Sequence, residues 1–275
     1  MAEMGYGAVD KQGTVEIALP DTDGLHISGQ LYGALDPDQP IVVMMHGRPG
    51  DPLEPLQING ANYLYNQLGL ASLRLAMYNN YVDEPGTRRL VDCTLETHVD
   101  DFETVVGYLR GVVGVSQIFA VGHSYGGLTI LKSTERLAGA ALWDPSHGSF
   151  WRDHRVAELN GYWVGDLWIP YDAEEWIPYD AEDLPLGRAM VEADYALGDT
   201  STLAGKPYPL FIASAIGRDA SLSKYNRRYA AAATAAGTSV KLVTIDAGHQ
   251  FDETEEKRWE LYKKTGKWLQ EQIDA

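Results

Sequence analysis

Gln117-Ile118-Phe119-Ala120-Val121-Gly122-His123-Ser124-Tyr125-Gly126-Gly127-Leu128-Thr129-Ile130-Leu131 reads as a buried strand that turns sharply into a helix. The apolar run Gln117 to Val121 is too short for a helix and suits a strand covered on both faces, whereas Leu128 to Arg136 is helix-compatible. Between them lies Gly122-His123-Ser124-Tyr125-Gly126, a Gly-x-Ser-x-Gly pattern in strand-turn-helix context. Such a turn holds its serine in a strained backbone conformation with the hydroxyl exposed. A side chain at Gly122 or Gly126 would collide with the neighbouring strand or helix. Ser124 is therefore the candidate nucleophile.

Working outward, further short apolar runs read as strands at Ile41 to Met45, Leu70 to Met77, Ala138 to Trp143, Tyr208 to Ala215 and Val240 to Ile245. Helix-compatible stretches alternate with them at Pro55 to Leu68, Leu95 to Arg110, Ser223 to Ala236 and Thr254 to Ile273. That alternation predicts an α/β fold: a mostly parallel sheet with helices on both faces and right-handed crossovers. Val15 to Leu19 and Leu25 to Tyr32, joined across Asp-Thr-Asp-Gly, predict an antiparallel hairpin at the sheet edge. Residues 146–205 break the pattern. They hold four of the seven Trp and twelve acidic against three basic residues, and they read as an insertion between core segments 1–145 and 206–275. Inside the insertion Trp-Ile-Pro-Tyr-Asp-Ala-Glu repeats at Trp168 and Trp176, and Pro170 and Pro178 each suit the first turn of a short helix.

A serine hydroxyl needs a histidine to take its proton and a carboxylate to fix that histidine's tautomer. His249, in Asp246-Ala247-Gly248-His249, follows the last strand and precedes the last helix, which is the strand-end position such a base needs. Two acids compete. Asp219 follows the strand Tyr208 to Ala215 and is preferred. Asp144 ends the preceding strand and is the alternative, because Asp144-Pro145 reads equally well as a turn that launches the insertion. The oxyanion of the reaction requires main-chain N–H donors. Tyr125 supplies one. The loop His46-Gly47-Arg48-Pro49-Gly50 supplies the other, from Arg48 or Gly47, since Pro49 has no N–H, and Arg48 is preferred.

A net charge of −17 argues against nucleic-acid and anionic-membrane partners, which call for a basic surface. The start of the chain has no basic segment followed by an apolar run, and no window approaches eighteen consecutive apolar residues. The single cysteine, Cys93, allows no intrachain disulfide. The expectation is a soluble, cytoplasmic protein. The acidic residues of the insertion lack the ligand alternation and turn glycine of a calcium loop and read as a solvated face, with no metal site.

On His46-Gly47-Arg48-Pro49-Gly50, Gly122 to Gly127, Asp219 and Gly248-His249, the chain resembles the α/β-hydrolase superfamily over nearly its whole length outside the insertion. The resemblance implies an eight-stranded, mostly parallel sheet and a lid at residues 146–205. It also implies an acyl-enzyme mechanism needing no cofactor. Serine at the elbow disfavours dehalogenases and epoxide hydrolases, which place aspartate there. The expected activity is carboxylesterase action on a small or medium uncharged ester. Lactonase, carbon–carbon hydrolase, peptidase, perhydrolase and non-catalytic receptor readings stay open, as does a homo-oligomer. Trp143, Trp163, Trp168 and Trp176 are candidate pocket residues, lining an acyl pocket or anchoring the lid.

Overall fold

The strand Ile41–Met45 (β3) shows why the chain folds as it does: all five of its side chains are buried, Ile41, Val43 and Met45 on one face and Val42 and Met44 on the other. A strand covered on both faces has no use for polar alternation, so it reads as a continuous apolar run. A computed structural model describes residues 14–21, 23–48, 50–78, 86–156, 161–170, 186–217 and 220–275. In them eight strands form one sheet. After the hairpin Thr14–Pro20 (β1) and His26–Tyr32 (β2) come β3, Ala71–Ala76 (β4), Ile118–His123 (β5) and Gly139–Trp143 (β6), then Leu210–Ala215 (β10) and Val240–Ile245 (β11). The order is β1-β2-β4-β3-β5-β6-β10-β11. β1 pairs antiparallel with β2 and β2 with β4, and every later pairing is parallel. The hairpin thus forms the expected edge.

Helices cover both faces. Leu95–Tyr108 (α2) and Tyr125–Lys132 (α3) pack Phe102, Val105, Leu128 and Ile130 against one face. Pro55–Leu68 (α1) and, at the end of the chain, Glu255–Ile273 (α7) pack Leu56, Leu64, Leu261 and Trp268 against the other. Local chemistry sets their ends. Pro55 stands in the first turn of α1, and Gly69 at φ +70 stops it in a left-handed cap. Thr94 and Thr97 exchange hydroxyl and main-chain bonds in a capping box at the start of α2. α3 departs from expectation, starting at Tyr125 and ending at Lys132. The two glycines after the elbow are helical, while the Glu103 carboxylate accepts bonds from the Ser133 hydroxyl and the Thr134 N–H and so draws residues 133–134 out of the helix.

Between β6 and β10 the chain leaves the sheet. It forms Ser149–Asp153 (α4), then Gly161–Val164 (β7), Leu167–Pro170 (β8) and Leu186–Gly187 (β9) in a separate three-stranded antiparallel sheet, then Arg188–Ala196 (α5). Pro170 ends a strand, paired with Gly161, and the residues that would carry the expected helical turn of the first repeat lie outside the described residues. Proline is tolerated there because it closes the strand. Most of the two repeats, with Trp176 and Pro178, lies outside the described residues. Ser223–Ala235 (α6) packs beside the base of this segment, where the Thr200 and Tyr229 hydroxyls bond at 2.6 Å and the His147 ring stacks on Tyr225 at 4.7 Å. No helix among the described residues is long and apolar enough to cross a membrane.

Candidate active site

β5 delivers Ser124 at its carboxyl end with φ +51 and ψ −115, a conformation L-residues adopt only under constraint. The surroundings enforce it. The Ser124 N–H still bonds the Trp143 carbonyl (3.0 Å), while the very next residue starts α3. A Cβ at Gly122 would lie 2.7 Å from the Gly126 carbonyl, and one at Gly126 would lie 2.5 Å from the His46 carbonyl. Gly126→Ala is accordingly expected to cost about 2–4 kcal/mol, because main chain rather than a flexible side-chain tip must move. A urea unfolding midpoint equal to wild type would contradict this.

His249 sits two residues before Phe251, whose φ of +54 marks the tight turn after β11. The turn is pinned twice: the Gly248 N–H bonds the Glu253 carboxylate, and His123 Nε2–H donates to the His249 carbonyl at 3.0 Å. Burial first, with the neighbouring His249 adding to it, holds His123 down to about 3, so it is neutral and its single ring proton can serve that bond. His123, the residue before Ser124, thus anchors the loop that carries His249, a role the sequence reading did not assign.

His249 Nε2 lies 2.9 Å from Ser124 Oγ, and Nδ1 lies 2.7 Å from Asp144 Oδ2. The carboxylate that reaches the histidine is therefore Asp144, the alternative candidate; Asp219 lies outside the described residues. Asp144 directly follows β6, the strand next to β5, at φ +44 and with no exposed surface. Its Oδ1 accepts from the Ala215 N–H (3.1 Å) and from Asn226 Nδ2 (2.5 Å), which compensates the burial of the charge. Asn226 comes from α6 and was invisible in sequence. With Nδ1–H donated to Asp144, His249 presents its Nε2 lone pair to the Ser124 hydroxyl. A second hydroxyl, Ser146 Oγ, stands 3.1 Å from Ser124 Oγ and also went unrecognised.

Opposite Ser124 runs the loop after β3. A Cβ at Gly47 would come within 3.1 Å of Ser124 Cβ, so glycine lets the loop lie against Ser124. His46, which burial lowers to about 4, is neutral; its Nδ1–H donates to the Gly47 carbonyl (2.7 Å) and its Nε2 accepts from the Met77 N–H (3.3 Å). The Tyr78 hydroxyl also donates to the Gly47 carbonyl (3.3 Å) while accepting from the Gly50 N–H (2.8 Å). Two donors fix that carbonyl, and in a trans peptide the Arg48 N–H points the opposite way, away from both. The Tyr125 N–H is at the first position of α3, where a helix leaves its N–H groups without intrahelical acceptors. Of the two expected donors, Tyr125 follows Ser124 directly, and Arg48 follows Gly47, the residue that lies against Ser124. The Arg48 side chain turns elsewhere: Nη1 donates to Asp194 Oδ2 of α5 at 2.7 Å, and the guanidinium lies over the rings of Tyr125 (4.3 Å) and Trp151 (4.9 Å).

Behind the loop, Glu54 is mostly buried beside Asp51, and that burial, reinforced by the Asp51 charge, pushes its carboxyl up from 4.5 to about 8. Between those values the folded state holds the Glu54 proton and the unfolded chain releases it, so stability is withdrawn as pH rises through the window. Glu54→Gln should therefore gain on wild type between pH 5 and pH 8, by on the order of 2 kcal/mol at the upper end. A difference in melting temperature that is the same at both pH values would contradict the assignment.

The tryptophan expectations divide. Trp143 is a core residue, not a pocket wall: it faces α7, its indole N–H bonds Thr265 Oγ1 at 2.9 Å, and it packs on Tyr262. Its place in a five-residue strand fixes that direction, because alternate side chains point to opposite faces. Trp168 is buried edge-on against Trp151 at 5.5 Å, and Trp163 is half-exposed under the Arg188 guanidinium at 4.4 Å. Among the described residues of the insertion, Trp151, missing from the pocket candidates, reaches the loop of Arg48.

Residues 42–257 match the model of the alpha/beta hydrolase family, and the chain belongs to that family. Among solved structures it is similar to Est1E from Butyrivibrio proteoclasticus (TM-score 0.69, 20% identity, covering 96% of this chain and 100% of that one). A complex of DcsB with its substrate analogue gives TM-score 0.73 at 14% identity over 96% and 100%. The Pyrococcus furiosus esterase Pf2001 gives 0.65 at 14% over 94% and 92%. At such identities the likeness is one of fold. Curated protein sequences gave no significant match.

Proposed function

We propose that the protein is a serine hydrolase that cleaves uncharged carboxylic esters through an acyl-enzyme. The observation that carries this reading is the unbroken chain Asp144 Oδ2, His249 Nδ1, His249 Nε2, Ser124 Oγ at 2.7 and 2.9 Å. His249 Nε2 takes the hydroxyl proton as Ser124 Oγ attacks the ester carbonyl, and Asp144 stabilises the imidazolium that forms. The N–H groups of Tyr125 and Arg48 hold the oxygen as it becomes negative. Collapse of the tetrahedral intermediate breaks the bond to the alkoxy oxygen, which leaves with the proton from His249. Water, deprotonated by the same nitrogen, then attacks the acyl carbon; the bond to Ser124 Oγ breaks, that oxygen takes the proton back from His249, and the carboxylic acid departs. No metal or organic cofactor enters these steps.

Residues 146–205 act in this reading as a lid that shapes the acyl site. Preference for an uncharged substrate follows from Arg48, whose charge Asp194 already neutralises in a buried pair, leaving that loop no free cation for a substrate carboxylate. Est1E has been solved with ferulic acid bound, so aromatic acyl groups belong in the substrate series beside straight-chain ones. The test is turnover of a panel of neutral acyl esters, lactones and amides. Saturable ester hydrolysis that vanishes in Ser124→Ala supports the proposal. Ligand-induced thermal stabilisation with no turnover of any ester would overturn it in favour of a receptor.

A further inference from the structure

Resting on the hydrolase reading, we infer that Asp194, a residue of the inserted segment, is a positioning residue that holds both halves of the oxyanion hole through one buried carboxylate. Its two oxygens are divided between the two residues whose main-chain N–H groups form the hole. Oδ2 accepts from Arg48 Nη1 at 2.7 Å, and Oδ1 accepts from the Tyr125 hydroxyl at 2.9 Å. The Arg48 guanidinium in turn lies on the Tyr125 ring, whose edge meets His98 at 5.3 Å. All of this is sealed: the side chain of Asp194 is 1% exposed and that of Arg48 7%.

The chain distances make the arrangement informative. Asp194 is 146 residues from Arg48 and 69 from Tyr125, and it lies on α5, outside the main sheet. A carboxylate that only had to neutralise Arg48 would need one oxygen. Here the second oxygen fixes the side chain of the residue after the nucleophile, so the spacing between the loop of β3 and the first turn of α3 is set by a third element. Donors placed before charge develops lower the barrier because nothing has to reorganise during reaction, and displacement by a fraction of an ångström forfeits part of that gain. The hole is therefore complete only when α5 is seated, and the segment that would select the acyl group also prepares the site for chemistry.

The test compares an oxygen ester with its thiono counterpart, in which the reacting C=O is C=S. Sulfur accepts hydrogen bonds weakly, so the ratio of kcat values for the two reports on the hole rather than on folding or binding. In Asp194→Asn, kcat for the oxygen ester should fall about 10- to 100-fold with KM within about threefold, and the oxygen-over-thiono preference should shrink by the same factor. Tyr125→Phe removes one hydroxyl and leaves the Arg48 pair intact, so it carries the test if Asp194→Asn fails to fold; its preference should shrink about threefold. An unchanged oxygen-over-thiono ratio in the folded variants, or a loss confined to KM, overturns the role of Asp194 while leaving the hydrolase reading standing. A wild type that turns over neither ester overturns the hydrolase reading and this inference with it.

Discussion

Asp144→Asn is expected to lower kcat for ester hydrolysis by about 10⁴, while Asp219→Asn changes it by less than about threefold. The asymmetry comes from one proton. In the native arrangement the Asp144 carboxylate accepts the His249 Nδ1–H, which leaves the Nε2 lone pair toward Ser124. An asparagine keeps the volume and can still accept from the Ala215 N–H and Asn226 through its carbonyl oxygen, but it then turns an NH₂ group toward Nδ1. The imidazole answers by moving its proton to Nε2 and can no longer serve as base. Steady-state kinetics of the two variants decide between the acids. A large loss in Asp219→Asn with a mild one in Asp144→Asn would reverse the assignment.

Ser124→Ala is the second large effect. Removing Oγ leaves the oxyanion donors and the binding surface but no nucleophile, and kcat should fall by about 10⁴ to 10⁶. Stability should change little, because among the described residues Ser124 Oγ bonds only polar tips, His249 Nε2 and Ser146 Oγ. The strained backbone at residue 124 is held by neighbours, above all Gly122 and Gly126, and an alanine inherits it. Turnover within tenfold of wild type in a folded Ser124→Ala would place the nucleophile elsewhere, with Ser146 Oγ the first alternative to examine.

The sheet is most legible where a strand is buried on both faces: Ile41 to Met45 is delimited to the residue by its apolar run, whereas the edge strand Val240 to Ile245, with Lys241 and Thr244 exposed, is marked by its β-branched content. The elbow was legible for a related reason, since its glycines answer steric demands that only a strand-to-helix turn makes. The acid was harder. Asp144-Pro145 carries the same residues whether it turns the chain or feeds a histidine, and what separates the two is the pairing of β6 beside β5, a lateral order that chain order does not give. Asn226 and Asp194 are polar residues on amphipathic helices, indistinguishable in sequence from solvated ones; only folding brings them against Asp144 and Arg48. Trp143 was expected at a pocket, but the pleat of β6 turns it toward Thr265 on the other face of the sheet, a direction its residue type does not carry.

The central claim is that Ser124 is an activated nucleophile, and the most direct measurement is intact mass after exposure to a fluorophosphonate. Phosphonylation displaces fluoride and leaves one phosphonyl group on the attacking oxygen. A single adduct on the wild type, none on Ser124→Ala and a markedly slower adduct on Asp144→Asn is the predicted result. An unlabelled but folded wild type, or an adduct that persists in Ser124→Ala, would contradict it.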